Sequence, residues 1–227
     1  MLSVIMKYII ILSLLSTNLL YGATNENINV AIEKYFTKLK GSCVPYLIEV
    51  IKDGAKPVKI AAIRRLGNLK SQKAIKVLTA VMCYVWDPDK YEQNFLSKKS
   101  MAPDFDEDVR AEAALSLGKI GDKKSLPLIG NTLLSDRNSK VKQYCAKALG
   151  LLRDKDGIKY LQKAIKYELA LDKTKIDNDV VREAVKALGS IGDKEAFFIL
   201  IEVTQSNKLK YETKKEALKS LEKIKWE

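Results

Sequence analysis

Apolar and small residues recur at helical spacing in five segments of the chain, with polar residues between them. In each segment a small residue is followed four positions later by a leucine, so that the two lie on one face of a helix. The small residues are Ala62, Ala113, Cys145, Ala184 and Ala217, and the leucines are Leu66, Leu117, Leu149, Leu188 and Leu221. This pattern predicts five helices that pack closely against their neighbours.

A second pattern follows the leucine. A glycine comes next in four of the segments, and Glu222 takes its place in the last: Gly67, Gly118, Gly150 and Gly189. Because glycine tolerates the left-handed conformation of a C-cap, we expect it to end each helix. Good N-cap residues stand four positions further on, at Ser71, Asp122, Asp154 and Asp193. They predict that a second helix begins there, so each of these four segments is expected to form a helix hairpin, while the fifth forms a single helix.

The hairpins repeat, and repetition predicts a stack. One hairpin cannot bury its own apolar face, whereas stacked hairpins bury their faces against each other. The fold class is therefore predicted as all-α: a right-handed α-solenoid of about five hairpins with a C-terminal capping helix at 210–226. The hairpins are placed at 28–54, 56–86, 107–135, 138–169 and 178–207. The capping helix is expected to turn a polar face outward, formed by Lys214, Lys215, Lys219 and Lys223.

The repeated phrase V-R/K-x-x-A-A-x-x-L-G-x-I-G-D resembles the HEAT-repeat family, in particular its short, bilin-lyase-type HEAT-like repeats. Pro45 and Pro127, early in two second helices, fit the same consensus. The resemblance covers roughly residues 28–226 and implies the solenoid fold. Such repeats serve as scaffolds far more often than as enzymes. Since no chromophore-specific residue can be matched, a bilin-lyase-like enzyme is kept only as an alternative.

The N-terminal segment has the layout of a secretory signal peptide. Lys7 supplies a positive charge, residues 8–20 are mostly apolar, and the small residues Gly22 and Ala23 follow. The apolar stretch is shorter than the ~20 residues of a membrane-spanning helix. We predict a signal peptide at 1–23, and a single repeat domain at 24–227 that is exported to the periplasm or cell envelope. An uncleaved segment would instead anchor the protein in the membrane.

Composition excludes several classes of enzyme. The chain has no histidine, which excludes a Ser-His-Asp triad, a Cys-His pair and His-ligated zinc, and its three cysteines are too few for a four-cysteine zinc site. There is no glycine-rich phosphate loop, G-x-S-x-G or C-x-x-C motif. The acidic run at 104–108 lacks the glycine and glutamate of an EF-hand and suits a helix N-terminus. We expect no catalysis, no cofactor and no metal.

An insertion at 86–106 separates the second and third hairpins and is one candidate for a binding site. Insertions in solenoids form loops on one face, often the binding face. The insertion contains three aromatic residues: Trp86, Tyr91 and Phe95. The alternative interpretation is an ordinary connector whose aromatic residues pack on the stack.

The positive charge of the chain indicates a second candidate binding site. The net charge is +12, which favours acidic partners. Lys159, Lys163 and Lys166 lie on one helical face at i, i+4, i+7, although a solvated face is the alternative.

Basic residues do not align across successive second helices, and together with export this argues against nucleic-acid binding of the DNA-alkylation-repeat kind. Membrane contact is expected only through an uncleaved signal segment or a peripheral basic contact. We therefore predict an exported scaffold or adaptor that binds a protein partner with an acidic surface.

Overall fold

The computed structural model describes residue 34 and residues 43–82 and 106–226. Its contacts divide the chain into Met1–Lys38 and Leu39–Glu227, and the helices described below all lie in the second unit. In chain order they are α1 (Val44–Asp53), α2 (Lys56–Asn68), α3 (Ile75–Met82), α4 (Glu107–Ile120), α5 (Leu126–Ser135), α6 (Ser139–Leu152), α7 (Ile158–Ala170), α8 (Asn178–Ile191), α9 (Phe197–Gln205) and α10 (Tyr211–Leu221).

Two kinds of helix alternate along the chain, as the repeat predicts. The first helices α2, α4, α6, α8 and α10 pack side by side in one row, here called the first-helix row. Each second helix packs against the first helix of the next hairpin, so that α3 lies on α4, α5 on α6, and α7 on α8. The apolar face of one hairpin is thus covered by the next. The all-α solenoid is confirmed.

The predicted core columns are buried in this stack. All five small residues of the first helices are fully buried, and so are four of the five leucines. The exception is Leu221 of α10, which is half-buried. Pro45 and Pro127 stand at the second positions of α1 and α5, where a missing N–H costs no helical hydrogen bond.

The glycine column has a different role from the predicted C-cap. Gly118 lies inside α4, and a Cβ atom there would come within 2.6 Å of the Cα of Ala148 in α6. The left-handed residues come three positions later than the column, at Lys70, Gly121, Arg153 and Gly192. The prediction that the column glycines end the helices is therefore wrong. They are required by close helix packing, and the helix ends use other residues.

The predicted N-cap residues do begin the second half of each hairpin. The Asp193 carboxylate accepts a hydrogen bond from the backbone N–H of Glu195 at 2.9 Å, and Asp122 and Asp154 make equivalent bonds. Ser71 makes no such side-chain bond. A short 3₁₀ turn follows each cap, and the α-helix begins after it. The second helices therefore start about three residues later than the caps alone indicate.

A chain of ion pairs joins three first helices at their N-terminal ends. Lys56 of α2 pairs with Asp108 of α4 at 2.6 Å, and Lys140 of α6 pairs with the other oxygen of the same carboxylate. Lys140 and then Lys56 hold the pKa of Asp108 below its usual range. Asp106, which lies beside this chain, accepts a hydrogen bond from the N–H of Asp108 at 2.8 Å and caps α4. The acidic run thus has the helix-start role that the sequence predicts.

The C-terminal end of the stack is only partly polar. Lys215, Lys219 and Lys223 are exposed, as predicted, and Lys214 is half-buried. Tyr211 and Leu218 of the same helix are also 72% and 55% exposed. Beyond α10 the backbone N–H of Lys225 donates to the carbonyl of Gly192 at 2.9 Å, which returns the chain to the stack.

Candidate functional site: the exposed face of α7

Of the two binding surfaces that the sequence predicts, the structure describes the lysines of α7 but not the aromatic residues of the insertion. Trp86, Tyr91 and Phe95 lie outside the described residues, so the role of the 86–106 insertion stays a prediction. Its last residue, Asp106, is described and forms the N-cap of α4.

The three lysines of the second candidate share one exposed helix face. Lys159, Lys163 and Lys166 all lie on α7, and their residues are exposed. The buried face of the same helix carries Leu161 and Ile165, which are fully buried. The lysines are therefore turned away from the core, and their positive charges face solvent along nearly two turns of helix.

Exposed aromatic residues accompany these cations, and they were not part of the sequence prediction. Tyr167 on α7 is 60% exposed, and the Nζ of Lys142 lies 5.6 Å from the centroid of its ring. Phe198 is 81% exposed on α9. Counted from the N-cap of its hairpin, Phe198 holds the position that Lys159 holds in α7. Large side chains exposed to this degree are typical of a contact surface rather than of a core.

Hydrogen bonds hold α7 against its neighbours. The Nζ of Lys208 donates to the carbonyl oxygens of Leu169 and Leu171 at 2.8 and 3.1 Å, which satisfies acceptors at the C-terminal end of the helix. The Nε2 of Gln162 donates to the carbonyl of Glu195 at 2.9 Å. A contact surface on α7 is therefore fixed in position before any partner arrives.

At the other end of α7, the Asp154 cap pairs with Lys123 at 3.0 Å. Lys123, and after it the N–H of Asp156, hold the pKa of Asp154 below its usual range. The cap therefore stays ionised at neutral pH, and a negative charge at this end also favours the helix dipole.

The acidic and cysteine side chains of the described residues are the remaining candidates for metal binding or nucleophilic chemistry. Within them, no group of three or more Cys, Asp or Glu side chains is placed to hold a metal ion. Cys145 lies fully buried in the small-residue column, where burial raises the pKa of its thiol and keeps it neutral. Cys43 is half-buried and precedes α1, whereas Cys83 lies outside the described residues.

No helix in the described part of the chain combines the length and the apolar character needed to cross a bilayer. The predicted signal segment at 1–23 lies outside the described residues.

Comparisons with known proteins address the family and the fold. The HEAT repeats family matches residues 98–172, and the PBS lyase HEAT-like repeat family matches residues 180–206. No curated protein matches the chain. These two ranges contain the column glycines Gly118, Gly150 and Gly189, whereas Gly67 and Glu222 lie outside them.

One solved structure agrees on the architecture. The complex of CpcE and CpcF of phycocyanin lyase from Nostoc sp. PCC7120 aligns with a TM-score of 0.60 and 20% sequence identity, over 84% of this chain and 66% of that chain. This chain thus spans just under two thirds of that neighbour's length. Human deoxyhypusine hydroxylase in complex with glycerol aligns over 91% of this chain and 92% of that one, with 13% identity and a TM-score of 0.37. The latter score is too low to support an argument, and the former supports the fold alone. Residues 98–172 and 180–206 thus match HEAT-repeat families, and the described part of the chain folds as an α-solenoid of helix hairpins like that of the phycocyanin lyase complex.

Proposed function

We propose that this protein is an exported scaffold that binds an acidic protein partner and carries out no catalysis of its own. The observation that carries the proposal is the α7 face, where three exposed lysines share a helix with the exposed ring of Tyr167, while α9 of the next hairpin exposes Phe198. Cations that surround exposed aromatic residues match a partner with carboxylates around an apolar contact. The fold neighbour is a complex of two chains, CpcE and CpcF, which is a precedent for partner binding by this architecture.

Aromatic contacts supply affinity in such an interface, and the lysines supply orientation and rate. Exposed ion pairs contribute little each, whereas a buried aromatic side chain is often an interface hot spot. A partner that covers Phe198 therefore gains most from that ring. The cations on α7 attract the acidic surface during encounter, so association is expected to slow as salt rises.

Variants of α7 test this surface. K159E/K163E/K166E reverses three charges on the α7 face, and the matched control K215E/K219E/K223E reverses three exposed charges on α10 and the residues after it. The partner is first identified by cross-linking in cells, and its affinity for each purified variant is then measured. We expect the α7 variant alone to lose binding while its helical circular dichroism stays intact. Equal affinity of both variants for the partner would contradict the proposed surface.

The insertion is tested separately by replacing residues 86–106 with a short Gly-Ser linker. If the insertion forms part of the binding face, this deletion lowers partner affinity without loss of helical signal. A deletion variant with wild-type affinity would confine the binding surface to the described helices.

Export is the other half of the proposal and rests on the pattern at 1–23. Cell fractionation and the intact mass of the native protein test it. A form that begins near Ala23 or Thr24 in an extracytoplasmic fraction is the expected result. A full-length form in the cytoplasm would refute export, and nucleic acid would then be the next partner to examine because of the +12 charge.

A lyase-like activity is the second candidate. The PBS lyase HEAT-like match at 180–206 and the phycocyanin lyase neighbour favour it. An enzyme of this kind would produce a shifted absorption spectrum or a covalent adduct when it is mixed with a free bilin and an acceptor protein. We expect neither, because a scaffold needs only to hold its partner. A bilin adduct on the acceptor that forms only when this protein is present would replace the scaffold proposal.

A further inference from the structure

A groove of about 370 Å³ lies on the first-helix row, across the C-terminal halves of α4, α6 and α8. It is built from different helices than the α7 face and does not depend on the function proposed above. Its volume falls within the range of ligand and side-chain pockets, which is about 300–1,000 Å³.

Small residues create the depth of this groove. Gly150 of α6 and Ala187 of α8 line it, and a Cβ atom on Gly150 would lie only 2.9 Å from the Cα of Ala187. The two helices therefore meet backbone to backbone, with no side chain to fill the depression above the contact. Two leucines form its apolar wall: Leu115 is half-buried, and Leu151 is 48% exposed.

Cations surround the apolar wall. Lys147, Arg153 and Lys186 line the groove, and Glu183 is the one acidic residue among the lining side chains. Glu183 is almost fully buried and accepts a hydrogen bond from Lys186 at 2.9 Å, which leaves two cations beyond that pair. Among the described residues Arg153 makes no ion pair, and Lys147 contacts only the ring of Tyr144, at 4.7 Å. The groove is therefore positively charged as well as apolar.

The same helical position is basic in other members of the row. Lys147 of α6 and Lys186 of α8 stand three residues before their column glycines, and Lys219 holds the equivalent position of the next helix, α10. On the other side α4 carries Leu115 at this position, and α2 carries Arg64. Neighbouring helices in such a row lie about 8–10 Å apart. Cations at this interval face an extended chain better than a single small anion.

We propose that this groove binds an acidic segment of a protein, with one aliphatic side chain between Leu115 and Leu151 and carboxylates against Lys147 and Arg153. The charge is complementary to such a segment, and the leucine wall gives it an apolar contact that a phosphate backbone cannot use. Single-stranded nucleic acid would instead need aromatic stacking platforms, which the lining residues lack. The occupant is thus a peptide with alternating acidic and aliphatic residues.

The direct test is fluorescence anisotropy with a fluorescein-labelled peptide that contains two repeats of Glu-Asp-Leu-Glu-Glu-Leu. Two matched peptides replace either every leucine with serine or every acidic residue with its amide. The full-length protein is compared with the variants L151S and K147E/R153E. K159E/K163E serves as the charge-matched control on α7, and circular dichroism verifies that each variant is folded.

We expect K147E/R153E to weaken binding about tenfold or more, because both rim charges become repulsive, and L151S to weaken it about threefold. K159E/K163E should bind as the wild type does. The serine and amide peptides should both bind more weakly than the parent. No binding of the parent peptide, or equal binding of the parent and serine peptides, would overturn the proposal.

An oligonucleotide of twenty thymidines and vesicles of anionic phosphatidylglycerol complete the test. If either binds through Lys147 and Arg153 but is unaffected by L151S, the groove is a general polyanion site and the proposal is wrong. A loss of peptide binding in K159E/K163E equal to that in K147E/R153E would also overturn it, since the effect would then follow net charge rather than position.

Discussion

Gly118 of α4 lies directly against the backbone of Ala148 in α6, where a Cβ atom on the glycine would be 2.6 Å from the alanine Cα and 2.8 Å from its carbonyl oxygen. The relationship repeats along the row, with Gly67 facing Ser116, Gly150 facing Ala187 and Gly189 facing Ser220. At the first of these contacts the Ser116 hydroxyl donates to the carbonyl of Ile63 at 3.0 Å. Each first helix is therefore set against the next by a glycine on one side and a small residue on the other.

Gly118→Ala is expected to destabilise the protein, although alanine is the better helix former by about 1 kcal/mol. The added methyl group would meet backbone atoms, which cannot rotate away as a flexible side chain can. Overpacking of this kind costs about 1–3 kcal/mol, so we expect a net loss in the free energy of unfolding, measured by urea denaturation.

Gly157→Ala is the matched control. A Cβ atom there finds its nearest neighbours at 3.7 Å, and its backbone has ordinary helical angles. This substitution should be neutral or stabilise by about 0.5–1 kcal/mol, because it reduces the entropy of the unfolded chain. Equal stabilisation by both substitutions would show that close packing does not explain the glycine column.

Acid should weaken the ion-pair chain of Lys56, Asp108 and Lys140. Since Lys140 and Lys56 lower the pKa of Asp108 in the folded protein, its contribution to stability is complete above the unfolded pKa of about 3.9. That contribution is lost as pH falls through the lower folded pKa. Urea midpoints measured between pH 6 and pH 2 should fall, and D108N should flatten this part of the profile.

High pH should weaken the same ion pairs by removing the protons of Lys56 and Lys140. Hydrogen bonds to Asp108 raise the pKa of Lys140, and those to Asp106 and Asp108 raise the pKa of Lys56. Their contribution is complete below the unfolded pKa of about 10.4 and is lost as pH rises through the higher folded values. High salt should reduce both pH effects because the lysines are largely exposed. An unchanged acid limb in D108N would contradict the assignment.

The Arg110–Asp136 ion pair is buried, so removal of one partner should cost more free energy of unfolding than it would in an exposed pair. Both side chains are almost fully buried, and the Asp136 carboxylate also accepts a hydrogen bond from the N–H of Asn138 at 2.8 Å. R110M leaves that carboxylate buried without its cation, so we expect a loss of about 3–5 kcal/mol in the free energy of unfolding.

The double variant R110M/D136N provides the control for this pair. Its amide oxygen can still accept from Asn138, while the buried charge is gone. We expect the double variant to be more stable than R110M alone, which a double-mutant cycle in urea measures. Additive losses in that cycle would show that the two side chains are not energetically coupled.

Phe198→Ser should separate stability from binding. This side chain is 81% exposed, and its ring meets the ring of Phe197 edge-on at 5.5 Å between centroids, so its removal is expected to lower the free energy of unfolding by no more than about 1 kcal/mol. Partner affinity should fall by about tenfold or more if the ring is an interface hot spot. The control is Phe197→Ser on the same helix, whose ring packs on Trp226 at 5.0 Å between centroids; it should lower stability. Unchanged partner affinity in Phe198→Ser would remove the ring from the proposed interface.

Sequence reasoning located the buried columns and the N-caps because these features follow from local periodicity. Ala113, Leu117 and Asp122 can be assigned from spacing alone, since each needs only its own helix or turn. The two glycines of the phrase L-G-K-I-G-D, Gly118 and Gly121, were harder to distinguish. Both types of position favour glycine, one for contact with α6 and one for its φ of 82°. Only the packed structure shows which glycine has which role.

The candidate binding surfaces could likewise be predicted from the sequence only in part. The three lysines of α7 share one helix, and their common exposed face was predicted from their spacing. Tyr167 and Phe198 were not predicted as surface residues, because helical spacing does not distinguish an exposed ring from a core ring. The signal that was available is that Phe198 shares a column with Lys159, which is an exposed position. The groove around Leu151 joins three hairpins, so no pattern within one repeat indicates it.

The glycine contacts also decide how the stack bends. Along the first-helix row neighbouring helices touch backbone to backbone, so their separation can neither shrink nor grow without a clash or a void. The second helices contact one another less extensively. The length of the first-helix row therefore stays constant, and the stack changes its curvature through changes in the spacing of α5, α7 and α9. A partner on α7 therefore acts on the compliant side of the solenoid, and one in the first-row groove acts on the stiff side.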